Sequence, residues 1–293
     1  MSDHILRVTA ANGMIRAFFA DTRETTNEAM TIHQCTAVVA AALGRLLTAS
    51  AMMGLMLKGE DDHLTLSIKG SGDVLGLLVT ADSKGNVKGY PNNPHAQAED
   101  KPNGKLNVSG IIGQGTLTVI KDMGSDDLEP YVGTIALKSG EIAEDVAYYF
   151  AQSEQTPSIV SLGVLVDTDY SIKQAGGYII QLMPGATNEL IDMLEAKMEK
   201  IENITTLYEK GYTPSTLLEY FFKDMGYSIV DEIPVKFKCD CSREKVERAL
   251  ISIGKSELDD LISEDGAASI KCHFCNKAYD FDEDELKRLV KEL

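Results

Sequence analysis

The chain has 293 residues, of which 44% are hydrophobic and 25% are charged, as is ordinary for a globular protein with a buried core. Its 28 lysine and arginine residues face 45 aspartate and glutamate residues, so the formal net charge is 28 − 45 = −17. This excess of negative charge disfavours a nucleic-acid partner, because binding to phosphates depends on clustered basic residues. The opening residues show no basic segment followed by an apolar one, so no signal peptide is expected and a cytoplasmic location is predicted.

The first predicted elements are two strands and a long helix. Strands over residues 5–10 and 14–19 flank Asn12-Gly13, a pair that is typical of tight hairpin turns. A helix rich in alanine and methionine is predicted from about residue 27 to residue 58. Part of this helix is apolar enough to suggest a membrane span, but Arg45 in its middle would be costly in lipid. A buried core helix is therefore expected, with no membrane partner.

Alternating patterns continue through the first 185 residues. Leu64, Leu66 and Ile68 are separated by polar residues, as in a half-buried strand. Apolar residues at helical spacing predict a helix over residues 142–150. Further strands are predicted at residues 75–81, 117–121, 131–137, 159–166 and 178–183. These elements predict an α+β fold, with a mixed sheet-and-helix domain over residues 1–185.

A helical linker is predicted over residues 186–233. Thr187 suits the N-cap of a first helix, and Thr213-Pro214 is typical of the start of a second. Helices this short cannot bury their own apolar faces, so we expect them to pack across a sheet face of the first domain. Residues 231–234 are interpreted as a hinge that leads to a small C-terminal domain over residues 234–293.

Four of the five cysteines lie in this C-terminal domain, as Cys239 and Cys241 and then Cys272 and Cys275. Zinc prefers four soft donors at tetrahedral corners, so the pattern predicts one zinc ion per chain held by four thiolates. Because every ligand comes from the protein, no position stays open for water, and the site is expected to be structural or regulatory. A small module with few large apolar residues needs a metal ion or a similar cross-link for stability, so its folding should depend on the metal. The short C-x-C spacing suggests that these two sulfurs can also pair with each other.

Two further residues bear on this site. His273 lies between the last two cysteines and could replace a thiolate, although a solvent-facing spacer is the simpler interpretation. Cys35 lies in the long helix, far from the cluster in sequence, and is expected to be a buried apolar thiol.

No nucleotide-binding motif is complete. Gly70-Ser71-Gly72 and Gly113-Gln114-Gly115 each match only part of a dinucleotide-binding loop, and both lead into predicted strands rather than helices. The sequence has no Walker-type motif, and its acidic residues form no paired catalytic arrangement. Neither a nucleotide partner nor an enzymatic activity is expected.

Several stretches of the chain look like those of one protein family. The C-x-C pair and Cys272-His273-Phe274-Cys275 have that family's usual separation, with Tyr279 and Phe281 behind them. In the first domain the similar stretches are residues 140–145 (GEIAED), 153–158 (SEQTPS) and 176–185 (GGYIIQLMPG). Over essentially its whole length the chain therefore resembles the redox-regulated thirty-three-kilodalton heat-shock chaperones of bacteria.

This resemblance implies a holdase, a chaperone that binds unfolding proteins without ATP and prevents their aggregation under oxidative stress and heat. It implies a chain that is inactive while reduced and zinc-bound. On oxidation, the family pattern pairs Cys239 with Cys241 and Cys272 with Cys275, with zinc release and unfolding of the C-terminal region. The active form would be a homodimer in which the first domain binds clients and mediates dimerisation, while the C-terminal domain is the redox switch.

Two alternative functions share the cysteine pattern. A zinc-ribbon protein that binds nucleic acid would have the same four thiols, but it would also need the basic patch that this chain lacks. A thiol oxidoreductase using Cys272 and Cys275 would turn over a small disulfide without prior release of zinc.

Overall fold

The structure is a computed structural model that describes residues 2–125 and 128–293. It divides into two compact units, Met1–Lys238 and Cys239–Leu293. Both units contain helices and strands, which confirms the predicted α+β class. The predicted linker lies within the first unit, whereas all four clustered cysteines lie within the second.

The first unit alternates strands with helices. Its strands are β1 (His4–Ala10), β2 (Ile15–Asp21), β3 (His63–Gly70), β4 (Gly76–Asp82), β5 (Asn86–Pro91), β6 (Gly115–Asp122), β7 (Tyr131–Ala136), β8 (Ser158–Val166), β9 (Ile172–Leu182), β10 (Tyr227–Pro234) and β11 (Lys236–Phe237). Its helices are α1 (Arg23–His33), α2 (Ala37–Gly54), α3 (Val108–Ile112), α4 (Ala143–Ser153), α5 (Asn188–Met198), α6 (Ile204–Glu209) and α7 (Pro214–Phe222).

These strands form two sheets. The first sheet has the order β10-β1-β2-β9-β8 and is antiparallel throughout. The second sheet has the order β11-β5-β4-β3-β6-β7, and its one described parallel pair is β11 with β5. In β3, Leu64, Leu66 and Ile68 are all buried, so the alternating pattern predicted this strand correctly.

Helix α2 lies at the centre of the main core. It packs against strands of both sheets, and 89% of it is buried although it is long and apolar enough to cross a membrane. The prediction of a core helix is therefore confirmed. A side chain at Gly44 would collide with Thr26, so this glycine lets α1 and α2 approach closely.

The single helix predicted over residues 27–58 is wrong, because two helices occupy this region. Gln34 ends α1 in the left-handed conformation, with φ 53°, and its backbone N–H donates to the carbonyl of Met30. Two residues later, the N–H of Thr36 donates to the carbonyl of Pro94 at 3.0 Å. A long-range contact therefore interrupts a segment whose local composition is helical throughout.

The hinge predicted at residues 231–234 is also wrong, because these residues belong to strand β10. Asp231 pairs with Arg7, and Pro234 pairs with His4, in register with β1. Most of β10 is exposed on both faces at the edge of the first sheet, so the sequence lacks the alternation that reveals a half-buried strand.

Helices α5, α6 and α7 pack on the face of the first sheet that lies opposite α2, as predicted for the helical linker. The side chains of Thr187 and Thr213 cap α5 and α7 as expected, whereas α6 was not predicted. Phe221 of α7 is fully buried against Tyr178 and Phe19, with ring centroids 5.1 and 6.0 Å away.

The two glycine-rich fragments serve backbone packing. The N–H of Gly72 donates to the carbonyl of Ile112, and the N–H of Ser71 donates to the carbonyl of Gln114, each at 2.8 Å. A side chain at Gly70 would collide with this second loop. The glycines are thus explained by the close approach of two loops.

The second unit is a small module of three helices and a hairpin. Its elements are α8 (Arg243–Ser252), α9 (Lys255–Glu264), β12 (Ala267–Lys271), β13 (Ala278–Asp282) and α10 (Glu283–Val290). Its buried apolar core consists of Leu250, Leu258, Tyr279, Phe281, Leu286 and Leu289. So small a core is typical of modules that need a bound metal ion or disulfides to stay folded.

Candidate metal centre

The turn between β12 and β13 presents two of the thiols. The N–H of Cys272 donates to the carbonyl of Lys277 at 2.9 Å, and the N–H of Asn276 donates back to the carbonyl of Cys272 at 2.8 Å. Asn276 closes the turn in the left-handed conformation, with φ 59°, which asparagine tolerates better than most residues. Cys272 and Cys275 are therefore held on one tight knuckle.

The other pair immediately precedes helix α8. The hydroxyl of Ser242 caps this helix by accepting a hydrogen bond from the N–H of Lys245. The hydroxyl of Tyr279, on β13, donates to Cys241 Sγ at 3.2 Å. The helix cap and the tyrosine thus fix the segment that carries Cys239 and Cys241.

The four sulfurs form one compact cluster. Cys239 Sγ lies 3.7 Å from Cys272 Sγ, Cys241 Sγ lies 3.4 Å from Cys275 Sγ, and all four lie within 4.8 Å of one another. A tetrahedral zinc ion with bonds of about 2.3 Å separates its sulfurs by about 3.8 Å. The four cysteines are free, half-buried thiols, and their spacing fits a tetrahedral ion with soft ligands. They can therefore hold a metal ion.

The surroundings of the thiols shift their pKa values in different directions. Burial raises the pKa of Cys239 and of Cys275. Burial also acts to raise the pKa of Cys241, but hydrogen bonds from the Tyr279 hydroxyl and the neighbouring thiols outweigh it and lower this pKa to about 7. The same hydrogen bond raises the pKa of Tyr279. Cys241 is therefore more acidic than Cys239 and Cys275 in the absence of a metal.

Arg243 contacts several of the elements that surround the site. Its guanidinium lies 4.2 Å from the centroid of the Phe281 ring, donates to Glu285 Oε1 at 2.6 Å and donates to the carbonyl of Asp280 at 3.0 Å. This side chain ties the start of α8 to β13 and α10. No sequence pattern singled out Arg243, and Tyr279 was marked only by the family resemblance.

Two further residues considered from the sequence are not members of the four-cysteine cluster. His273 is solvent-exposed on the knuckle, in agreement with its interpretation as a spacer. Cys35 lies between α1 and α2 rather than within a helix, and it is 6% exposed, as expected for a buried thiol. Burial raises the pKa of Cys35 to about 12, so it carries almost no thiolate near neutral pH.

A known protein family matches almost the whole chain. A family model described as "Hsp33 protein" matches residues 3–282. The chain belongs to the Hsp33 family.

Curated relatives support this membership along the whole chain. The chain is 52% identical over 294 residues to the 33 kDa chaperonin of Clostridium perfringens (strain SM101 / Type A), covering 100% of this chain and 92% of the relative. It is 51% identical over 289 residues to the 33 kDa chaperonin of Agathobacter rectalis, covering 99% and 100%. Since relatives with this coverage carry the chaperonin name, the chain is a member of a chaperone family.

A solved Hsp33 structure has the same fold. The crystal structure of the 33 kDa chaperonin (heat shock protein 33 homologue) from Thermotoga maritima superposes with a TM-score of 0.91 at 36% sequence identity. The superposition covers 100% of this chain and 99% of the other. The four-thiol cluster therefore belongs to a complete Hsp33 fold.

Proposed function

We propose that this chain is a redox-regulated, ATP-independent holdase that binds unfolding proteins and prevents their aggregation. The observation that carries the proposal is the cluster of four free thiols within 4.8 Å in the small C-terminal unit of an Hsp33 chain. The proposed clients are partly unfolded proteins in the cytoplasm under oxidative stress or heat, and the proposed active form is a homodimer. Neither nucleotide, nucleic acid nor membrane takes part.

The metal we propose is zinc, one ion per chain. Cys239, Cys241, Cys272 and Cys275 would hold it as thiolates, and their spacing fits the edges of a zinc–sulfur tetrahedron. When bound, zinc would keep the sulfurs as thiolates, shield them and supply folding free energy to the module. The O–H of Tyr279 would support the charge on the Cys241 sulfur.

Oxidation of these thiols removes the ligands. Two thiols and one hydrogen peroxide yield one disulfide and two waters, with two electrons passing from sulfur to peroxide. We propose the pairs Cys239–Cys241 and Cys272–Cys275, which follow the family pattern. The contacts at 3.4 and 3.7 Å join the two pairs crosswise, so only mapping of the oxidised protein decides between local and crossed pairing.

Loss of the ligands would unfold the second unit, because six buried apolar side chains are too few to hold about fifty residues. The chain then runs directly from Cys239 back into β11, which has only two residues, and into β10 at the edge of the first sheet. We propose that disorder spreads through these strands to helices α5–α7. Their release would uncover apolar surface on the helices and on the first sheet for clients.

The test is aggregation of a thermally unfolding client without ATP, with reduced protein and with protein oxidised by dilute peroxide. We expect suppression by the oxidised form alone and its reversal by reductant. Catalytic turnover of a small disulfide by zinc-loaded protein would instead favour an oxidoreductase. Retention of RNA or DNA would favour a nucleic-acid binder.

A further inference from the structure

A polar row crosses three strands at one end of the first sheet. Arg16 on β2 pairs in register with Gln181 on β9, which pairs with Ser158 on β8. Arg16 donates from Nε and Nη2 to Gln181 Oε1, at 3.0 and 2.6 Å, and Gln181 Nε2 donates to Ser158 Oγ at 3.0 Å. Gln181 is fully buried, so its amide is fixed and holds the guanidinium in one orientation.

This guanidinium opens into a cleft of about 320 Å³. The cleft is bounded by the loop that follows α4, by the end of β9 and by the start of α5. Its apolar rim includes Pro157, Leu182, Met183 and Ile191, and two further lining residues, Gln155 and Gly185, are exposed to solvent. The cleft is therefore a small apolar recess with one cation in its wall.

Arg16 forms no direct ion pair in the described part of the chain, although Glu154 is near enough to attract its charge. Among residues 2–125 and 128–293, no carboxylate oxygen lies within 4.0 Å of this guanidinium, and no acceptor is bonded to its Nη1 group. The neighbouring carboxylate, Glu154, is bonded to Lys121 Nζ at 2.5 Å. A half-buried cation without a carboxylate in direct contact is unexpected in a chain with net charge −17, since burial disfavours a charge that is not directly paired.

We propose that this cleft binds a carboxylate attached to an apolar body. The free Nη1 group and the fixed plane of the guanidinium would receive the two carboxylate oxygens, and the rim would contact the aliphatic part of the ligand. Such a carboxylate is found on the C-terminus of a peptide that ends in an apolar residue and on a small aliphatic acid. Binding would not involve the cysteine cluster, but the cleft includes the start of α5, so it would be complete only in the reduced state, in which α5–α7 are docked.

Isothermal titration calorimetry on the full-length, reduced, zinc-loaded protein tests this proposal with two matched pairs of probes. One pair is hexanoate and hexanamide, and the other is a tetrapeptide ending in leucine with a free or an amidated C-terminus. We expect saturable binding of the charged member and at least about tenfold weaker binding of the neutral member, because the amide loses a charge-assisted hydrogen-bonded pair. Binding of hexanoate alone identifies small acids as the ligand, and binding of the peptide alone identifies chain ends.

Two variants locate the site. Arg16→Gln should weaken binding by about tenfold or more, whereas the control Arg23→Gln, which removes an exposed arginine from helix α1, should not. If Arg16→Gln lowers the yield of folded protein, Ile191→Glu supplies a competing carboxylate on the rim and should also abolish binding. Equal binding of acid and amide, the absence of saturable binding, or unchanged affinity in both folded variants would overturn the proposal.

Discussion

At the scale of single residues, the hydrogen bond from Tyr279 to Cys241 is the contact that most directly links the core of the second unit to the sulfur cluster. The ring of Tyr279 is 5% exposed, while its hydroxyl reaches Sγ at 3.2 Å. Donors of this kind stabilise a thiolate ligand, and their removal commonly costs a metal site about tenfold to a hundredfold in affinity.

We predict that Tyr279→Phe keeps the fold but weakens zinc binding by about tenfold, because the ring stays and only the donor is lost. Competition with a chromophoric chelator measures this change. Tyr227→Phe is the control, since Tyr227 lies on β10 in the first unit and is exposed. Unchanged zinc affinity in Tyr279→Phe would show that the hydroxyl does not support the metal-bound sulfur.

Serine substitution should affect zinc content at the four clustered cysteines but not at the fifth cysteine, Cys35. Any one of Cys239→Ser, Cys241→Ser, Cys272→Ser or Cys275→Ser should lower zinc below one ion per chain and loosen the second unit. Cys35→Ser should leave zinc content unchanged, since Cys35 is buried in the first unit. Metal analysis of the purified variants gives the answer. Full zinc in a clustered-cysteine variant would argue for a substitute ligand such as His273.

Glu141 is a second residue whose charge has a measurable consequence. Its carboxylate bonds to Lys101 Nζ at 2.5 Å, to Arg45 Nη1 at 2.9 Å and to the N–H of Ser109 at 3.2 Å. Burial acts to raise its pKa, but these hydrogen bonds outweigh burial and lower the pKa from 4.5 to about 2. The ionised form is thus favoured in the folded state, which adds stability above pH 4.5 that disappears as the pH falls through 2.

We therefore predict that Glu141→Gln lowers the free energy of unfolding near pH 7 by about 1–2 kcal/mol, a figure reduced from the full pKa shift because the carboxylate is partly screened by solvent. The difference between parent and variant should shrink as the pH falls from 4.5 to 2. Urea unfolding followed by tyrosine fluorescence, with Glu144→Gln as an exposed control, measures it. A constant difference across that range would rule out the charged network as its source.

At the scale of elements, helices α5–α7 matter most because they cover an apolar face. Leu217, Leu218, Phe221 and Phe222 are buried on the first sheet. At roughly 25 cal/mol per Å² of apolar area, this packing contributes several kcal/mol. Removing only a few kcal/mol is enough to shift the helices from mostly docked to mostly released.

A charge on this buried face should release the helices without any oxidation. We predict that Leu218→Glu or Phe221→Glu raises hydrogen exchange across residues 187–225 in the reduced, zinc-loaded protein, because a buried carboxylate there has no partner. Glu219→Gln, an exposed change on the same helix, is the matched control. If exchange in residues 187–225 stays as slow as in the parent, these helices are not the released element.

The elements also show where sequence patterns are sufficient. N-caps at Thr187 and Thr213 were predicted correctly, because a cap depends on chemistry within four residues. The break at Gln34 was missed, since a contact with distant Pro94 stabilises the start of α2. Strand β10 was missed because an exposed edge strand need not alternate apolar with polar residues.

At the site, residue type and spacing identified the four thiols, whereas the contacts of Tyr279 and Arg243 depend on the folded hairpin.

At the scale of the whole molecule, the two units differ in what holds them together. The first unit has a large core around the buried helix α2, together with a second core under α5–α7. The second unit has six buried apolar side chains and four thiols. We therefore expect the metal to decide the folding of the second unit and to leave the main core of the first unit folded.

Removal of zinc from reduced protein by a strong chelator tests this difference. Hydrogen exchange should rise across residues 239–293, because the small core cannot persist without the metal, and α2 should remain protected. Restoring zinc should restore protection. Persistent protection of residues 239–293 in the metal-free protein would show that the core alone folds the second unit.

The most direct measurement follows client aggregation, zinc content and thiol content in the same samples while peroxide is added in steps. The proposed switch predicts that suppression of aggregation rises in proportion to the fraction of chains that have lost zinc and formed disulfides among Cys239, Cys241, Cys272 and Cys275. It also predicts that reductant with added zinc returns the protein to the inactive state. Full suppression by reduced, zinc-loaded protein, or none by fully oxidised, zinc-free protein, would contradict the proposed function.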